Sequence, residues 1–203
     1  MNRTQASPAR GGSATSIIGY GSVAVAFHWL TAALVVVAFI MGPGGSEQRV
    51  YSAANDIQRE IHEVLGLTVF ALTVLRFVWR ALAPAPTLPP APGWMEPVSR
   101  IVQGVLYALL FATPMTAVAG AWLEGHPLTL GLLGNVPPMI PEAHAAGRVV
   151  AEIHTFLGDT ILWLAGLHAA AALFHHFVLR DAVLLSMVPQ QWRRASQDRS
   201  SCS

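Results

Sequence analysis

Residues 152–179 read EIHTFLGDTILWLAGLHAAAALFHHFVL. Apart from Glu152 and Asp159 the stretch carries no carboxylate or arginine, and it exceeds the roughly 20 residues that cross about 30 Å of hydrocarbon as a helix. Two of its histidines, His154 and His168, stand fourteen residues apart. At a rise of about 1.5 Å and about 100° per residue, that spacing is about 21 Å of depth with only about 40° of angular offset. One face of one membrane helix therefore presents two imidazoles, one toward each side of the bilayer.

Working outward, three further apolar stretches are long enough to span. Residues 22–42 (SVAVAFHWLTAALVVVAFIMG) end in the breaker GPGG. Residues 57–81 contain HEVLGLTVFALTVLRFVW, and the following APAPTLPPAPGW forbids helix because each proline lacks a donor and disfavours α geometry in the residue before it. Residues 98–123 form the third, and after GHPLTLGLLGNVPPMIP the fourth covers residues 148–179. No segment alternates apolar and polar residues as a barrel strand would. The expected fold is all-α, a four-helix transmembrane bundle occupying residues 17–189, with a disordered N-terminal tail over 1–16 and a cytoplasmic tail over 190–203.

Composition agrees. Of 203 residues 53% are hydrophobic and 11% charged, with a mean hydropathy of +0.49, whereas soluble domains carry roughly 25% charged residues. The one cysteine, Cys202, sits next to the end. That excludes an internal disulfide, a cysteine-ligated cluster and a CxxCH haem attachment. All twelve basic residues are arginine. Arg3, Arg10, Arg76, Arg80, Arg100, Arg180, Arg193, Arg194 and Arg199 fall on one side of the four spans, and Arg49, Arg59 and Arg148 on the other. The positive-inside rule then puts both termini in the cytoplasm. No nucleic-acid partner is expected; the surrounding partner is membrane lipid.

Four histidines lie within spans. His28 follows the cytoplasmic entry of the first, His168 lies in the same half of the fourth, and His62 and His154 lie near the outer ends of the second and fourth. Intramembrane ionisable groups are costly and mark function. The depths pair His28 with His168 and His62 with His154. Two imidazoles per site suit the axial positions of a haem, whose macrocycle supplies the remaining four nitrogens. Zinc would want four ligands around one ion. Gly66 and Gly158, a turn beyond His62 and His154, leave room for a flat ring; close helix packing is the other reading of small residues there.

The runs AFHWL (26–30), EIHEVLGLTVFALTVLRFVWR (60–80), EIHTFLGDTILWLAGLHAAAALFHHF (152–177) and the closing LLSMVP (184–189), with GHPLTLGLLGNVPP between them, resemble the bacterial di-haem cytochrome b561 proteins, some of them superoxide oxidases. The resemblance spans residues 26–189. It implies two haem b, ligated by His28 and His168 on the cytoplasmic side and by His62 and His154 on the periplasmic side. It also implies a bacterial inner membrane location, exchange of electrons with ubiquinone and, in some members, oxidation of superoxide by way of the periplasmic face. An acidic outer face is an obstacle to an anionic substrate: Glu47, Asp56, Glu60, Glu63, Glu124, Glu142 and Glu152 stand there against three arginines.

Other residues admit two readings each. Arg76 is placed to meet a haem propionate, or to anchor the topology as a snorkelling cation. His175, two turns beyond His168, is a candidate for quinone or proton transfer, as imidazole exchanges protons near neutral pH; otherwise it and His176 are a solvated helix-end pair. His126 and His144 read as plain residues of the outer loop. A stand-alone oxidoreductase competes with a membrane relay subunit serving a dehydrogenase or hydrogenase, for which residues 124–147 would form the docking surface.

Overall fold

The computed structural model describes residues 21–83, 93–181 and 183–188. The tails expected at 1–16 and 190–203 lie outside the described residues. Four long helices dominate: α1 (Ser22–Met41), α3 (Asp56–Leu82), α4 (Met95–Leu123) and α5 (His144–Phe174). Short pieces join them: α2 (Glu47–Val50), a two-residue antiparallel pair β1 (Leu128–Thr129) and β2 (Asn135–Val136) around a 3₁₀ turn, and α6 (Val183–Ser186). All four long helices are long and apolar enough to cross a membrane.

The helix ends follow local chemistry. α4 begins at Met95, three residues before the expected start, because Pro97 falls in the first turn, where its missing N–H has no intrahelical bond to lose. α5 begins at His144 rather than Arg148, so His144 belongs to a helix and not to the outer loop. The sequence reading places residues up to Gly147 in the outer loop and begins the span at Arg148. Gly147 instead serves close packing: a Cβ built there would lie 2.6 Å from Glu124 Cγ and 3.2 Å from the Glu124 backbone nitrogen. At the far end α5 passes into a π turn, His175–Leu179, which closes on Arg180 in the left-handed conformation (φ 54°).

In packing, α1 lies mainly on α3 and α4 mainly on α5, with α3 joining the two pairs through α4. Few side chains are buried: Val25, Val69, Ala121, Leu128 and Ile161 are the buried apolar ones among the described residues. Trp163, Phe156 and Leu167 on α5 and Ile40 on α1 point outward. Lipid is as apolar as leucine, so such a surface has no hydrophobic penalty to avoid, and helix contact rests on packing and hydrogen bonds. Several hydroxyls inside the spans bond back to their own helix, while those of Thr31 and Thr113 are buried without a partner among the described residues. Thr73 donates to Val69 O at 2.8 Å, Thr68 to Val64 O at 2.7 Å and Thr160 to Phe156 O at 2.7 Å. At the arginine-rich end the Trp29 indole donates to Met187 O at 2.8 Å, tying the chain after α6 back to α1.

Gly147→Ala should therefore separate the ends of α4 and α5, at a cost of about 1–3 kcal/mol for the overpacked methyl. Thermal unfolding of the detergent-purified protein checks it, and an unchanged midpoint would show that the contact gives way freely.

Candidate haem-binding site

The acidic end of the bundle is set by where α1 stops. Its last four carbonyls have no partner within the helix. Gly42 N–H turns back to Phe39 O at 3.2 Å, leaving the carbonyl of Ala38 to find a donor. His62 of α3 supplies it: Nδ1 lies 2.7 Å from Ala38 O. A carbonyl only accepts, so Nδ1 carries the proton and Nε2 keeps its lone pair.

His154 of α5 is held in the same way. Its Nδ1 donates to Thr113 O of α4 at 3.0 Å, the carbonyl immediately before Pro114, which also accepts from Thr116 Oγ1 at 2.8 Å. The rings of His62 and His154 then face each other with centroids 6.0 Å apart and planes at 85°. At the arginine-rich end His28 of α1 and His168 of α5 stand 6.5 Å apart at 75°, with Trp29 edge-on to His28 at 5.3 Å.

These spacings can be tested against a haem. Two metal–nitrogen bonds of about 2 Å, plus roughly 1 Å from each nitrogen to its ring centre, put two trans imidazoles about 6 Å apart. Both pairs meet that figure. Room for the macrocycle is tested by the glycines. Gly66 and Gly158 are half-buried, yet a Cβ built on either meets nothing within 4 Å. Imidazoles fixed by hydrogen bonds from their other nitrogen are the arrangement that orients a ligand and raises its basicity. The residues present fit the group.

Arg76 of α3 lies with its guanidinium 5.2 Å from the centre of the Tyr107 ring of α4 and within electrostatic reach of His28. Among the described residues it forms no ion pair with a carboxylate. His175 sits where α5 enters the π turn, its Nδ1 2.5 Å from Asp181 Oδ2. Burial alone would push the Asp181 carboxyl up, but the His175 hydrogen bond and the Val183 amide outweigh it and hold the group below its ordinary range. Asp181 is a residue that sequence reading missed. A carboxylate six positions beyond a histidine has no helical signature, and only the π turn and the left-handed Arg180 bring it back.

The acidic end also holds more than was expected of it. His126 is no plain loop residue: its ring stacks on Tyr51 at 3.4 Å and 15°, and its Nε2 lies 3.1 Å from Glu47 Oε1. On Tyr51 also rests Arg59, 5.1 Å from the ring centre. Arg59 pairs with Glu63 at 2.7 Å and with Asp56 at 3.4 Å. Glu63 uses its second oxygen to accept Thr129 N–H at 2.7 Å, which fastens β1 to α3. Burial and the neighbouring Glu47 charge push the Glu124 carboxyl up, against the pull of His126, His144 and Arg148.

The comparisons with known proteins fall on this same set of helices. The family described as prokaryotic cytochrome b561 matches residues 19–190. The chain is similar to cytochrome b562 of Cereibacter sphaeroides, 31% identical over 176 residues, covering 84% of this chain and 95% of that protein. It is similar also to cytochrome b561 homolog 2 of Escherichia coli K12, 28% identical over 173 residues, covering 83% of this chain and 90% of the relative. A third relative is the "Probable superoxide oxidase CybB" of Yersinia pestis, 28% identical over 180 residues, covering 85% of this chain and 97% of the relative. The chain belongs to the prokaryotic cytochrome b561 family, bacterial membrane proteins that carry electrons on haem b.

Proposed function

We propose that the chain carries two haem b, one between His28 and His168 and one between His62 and His154, and passes electrons across the membrane between its arginine-rich and acidic ends. The observation that supports this is the equal spacing of the two facing histidine pairs, 6.5 and 6.0 Å between ring centres. Haem b, when bound, supplies one-electron redox chemistry at its iron. The chain's part is to hold and orient. His62 and His154 donate Nδ1–H to Ala38 O and Thr113 O and so keep Nε2 for the metal. Arg76, seated on Tyr107, is the counter-ion for a propionate at the arginine-rich end. By the positive-inside rule that end is cytoplasmic, with both termini on the same side.

Ubiquinone is the proposed electron partner at the arginine-rich end. Its reduction takes two electrons and two protons, and the reverse releases them. His175 is the proton carrier. Asp181, kept ionised by that pairing, accepts from Nδ1 and leaves Nε2 to exchange a proton with the quinone. The sign follows from the depressed Asp181 value: the pairing is intact at neutral pH and is lost only as pH falls through a value below the ordinary 3.8.

Superoxide, the substrate in the printed name of the Yersinia pestis relative, is an anion that would have to approach the acidic end. There Arg59 is already committed to Glu63 and Asp56, so the electrostatics of that end disfavour superoxide. One feature favours the relay reading in addition. Leu132 and Leu133, on the turn between β1 and β2, are 106% and 85% exposed, as a docking surface for a periplasmic partner would be.

Purified protein should give two low-spin haem b per chain by pyridine haemochrome, and one haem per chain would overturn the proposal. His62→Ala and His154→Ala should perturb one haem and His28→Ala and His168→Ala the other; matching spectra for the His62 and His168 variants would refute the pairing. His175→Phe should slow electron exchange with a soluble ubiquinone analogue at least tenfold with both haems in place. Unchanged quinone kinetics would remove His175 from the reaction.

A further inference from the structure

At the acidic end, three segments far apart in sequence bring metal-binding side chains together. Glu47 opens α2, Glu124 follows the last residue of α4, and His126 lies just past the Gly125 turn (φ +80°). One ligand atom from each lies within 4.8 Å of the other two. We propose that Glu47, Glu124 and His126 form a binding site for a divalent zinc ion, separate from the haem sites, that fastens the first outer connection to the second.

Several features of the surroundings support a built site rather than a chance meeting. Glu124 is 7% exposed, and no donor among the described residues hydrogen-bonds its carboxylate. One of its carboxylate oxygens lies within 4.8 Å of a ligand atom of the His126 imidazole and of the Glu47 carboxylate. Its stem is held in place by Gly147, whose missing Cβ leaves the space that Glu124 Cγ occupies. The His126 ring is fixed flat against Tyr51, the kind of support that orients a metal ligand.

The donor set selects the ion. One imidazole and two carboxylates suit zinc, with ligand bonds of about 2.0–2.2 Å and a water completing the tetrahedron. The tetrahedral edge such bonds imply is about 3.4 Å, close to the 3.1 Å between His126 Nε2 and Glu47 Oε1. Calcium and magnesium take six or more oxygens and use imidazole poorly. Two carboxylates also neutralise the charge of the ion. The competing account is a His126–Glu47 pair alone, in which Glu124 takes no part.

The test uses the haem-loaded full chain in detergent, stripped with a chelator and titrated with zinc sulfate by calorimetry, with bound metal counted after gel filtration. The expected result is one tightly held zinc per chain and a higher unfolding temperature in its presence. His126→Gln and Glu124→Gln should each weaken binding at least tenfold and remove the zinc-dependent rise, while the haem spectrum stays unchanged. His144→Gln, which alters the exposed His144–Glu142 pair, should leave both readings as in the wild type. Should Glu124→Gln fail to fold, the partly exposed His126 decides alone. Wild-type protein that binds zinc no more tightly than His126→Gln, or binding that disappears in His144→Gln instead, would overturn the site.

Discussion

Hydrocarbon offers no water to an unpaired carbonyl, so a helix that stops inside or at the edge of a membrane must find donors for its last turn within the protein. The GPGG sequence after α1 creates that requirement at Ala38. His62 meets it, and in doing so has its tautomer and ring direction decided. The separation of His62 from His154 follows, because His154 is held by the corresponding bond to Thr113 O. A helix stop, which looks like mere punctuation in the sequence, thereby sets the geometry of the facing His62–His154 pair.

The two ends differ in how their histidines are held. At the acidic end both imidazoles are tied to backbone carbonyls of neighbouring helices. At the arginine-rich end the surroundings are aromatic and cationic: Trp29 against His28, and Arg76 over Tyr107. A fixed cation disfavours additional positive charge beside it, whereas carbonyl oxygens favour it. The two histidine pairs thus sit in electrostatically different environments.

Much of this was legible from the chain alone. The four spans were readable because lipid demands long apolar runs, and the Gly- and Pro-rich stretches between them mark most of their ends. The pairing of histidines was readable because helical rise converts sequence separation into depth, and His154 and His168 share a face of α5. What escaped reading depended on contacts that carry no periodic signal. His144 was placed in the loop because the apolar run marking the span begins only beyond Gly147, which is a packing site within the helix. Asp181 escaped because a π turn changes the angular register beyond His175. The association of Glu47 with Glu124 and His126 joins two connections separated by two spans, and loop residues have no pattern that would bring them together.

α4 shows the difference most clearly, since it carries no histidine at all. A search for ligands passes over it, yet it provides the Thr113 carbonyl that holds His154, the Tyr107 ring beneath Arg76 and, just past its end, Glu124. The three histidine-bearing helices alone would leave the Nδ1–H of His154 without this acceptor and Arg76 without its aromatic support. Gly120 brings α4 close to α5, a Cβ there meeting the Ala151 backbone at 3.6 Å. That approach lies one turn from His154, so the helix without ligands governs how firmly the ligand-bearing helix is positioned. α4 is thus the support on which the orientation of His154 relies, and it also carries the Tyr107 ring beneath Arg76.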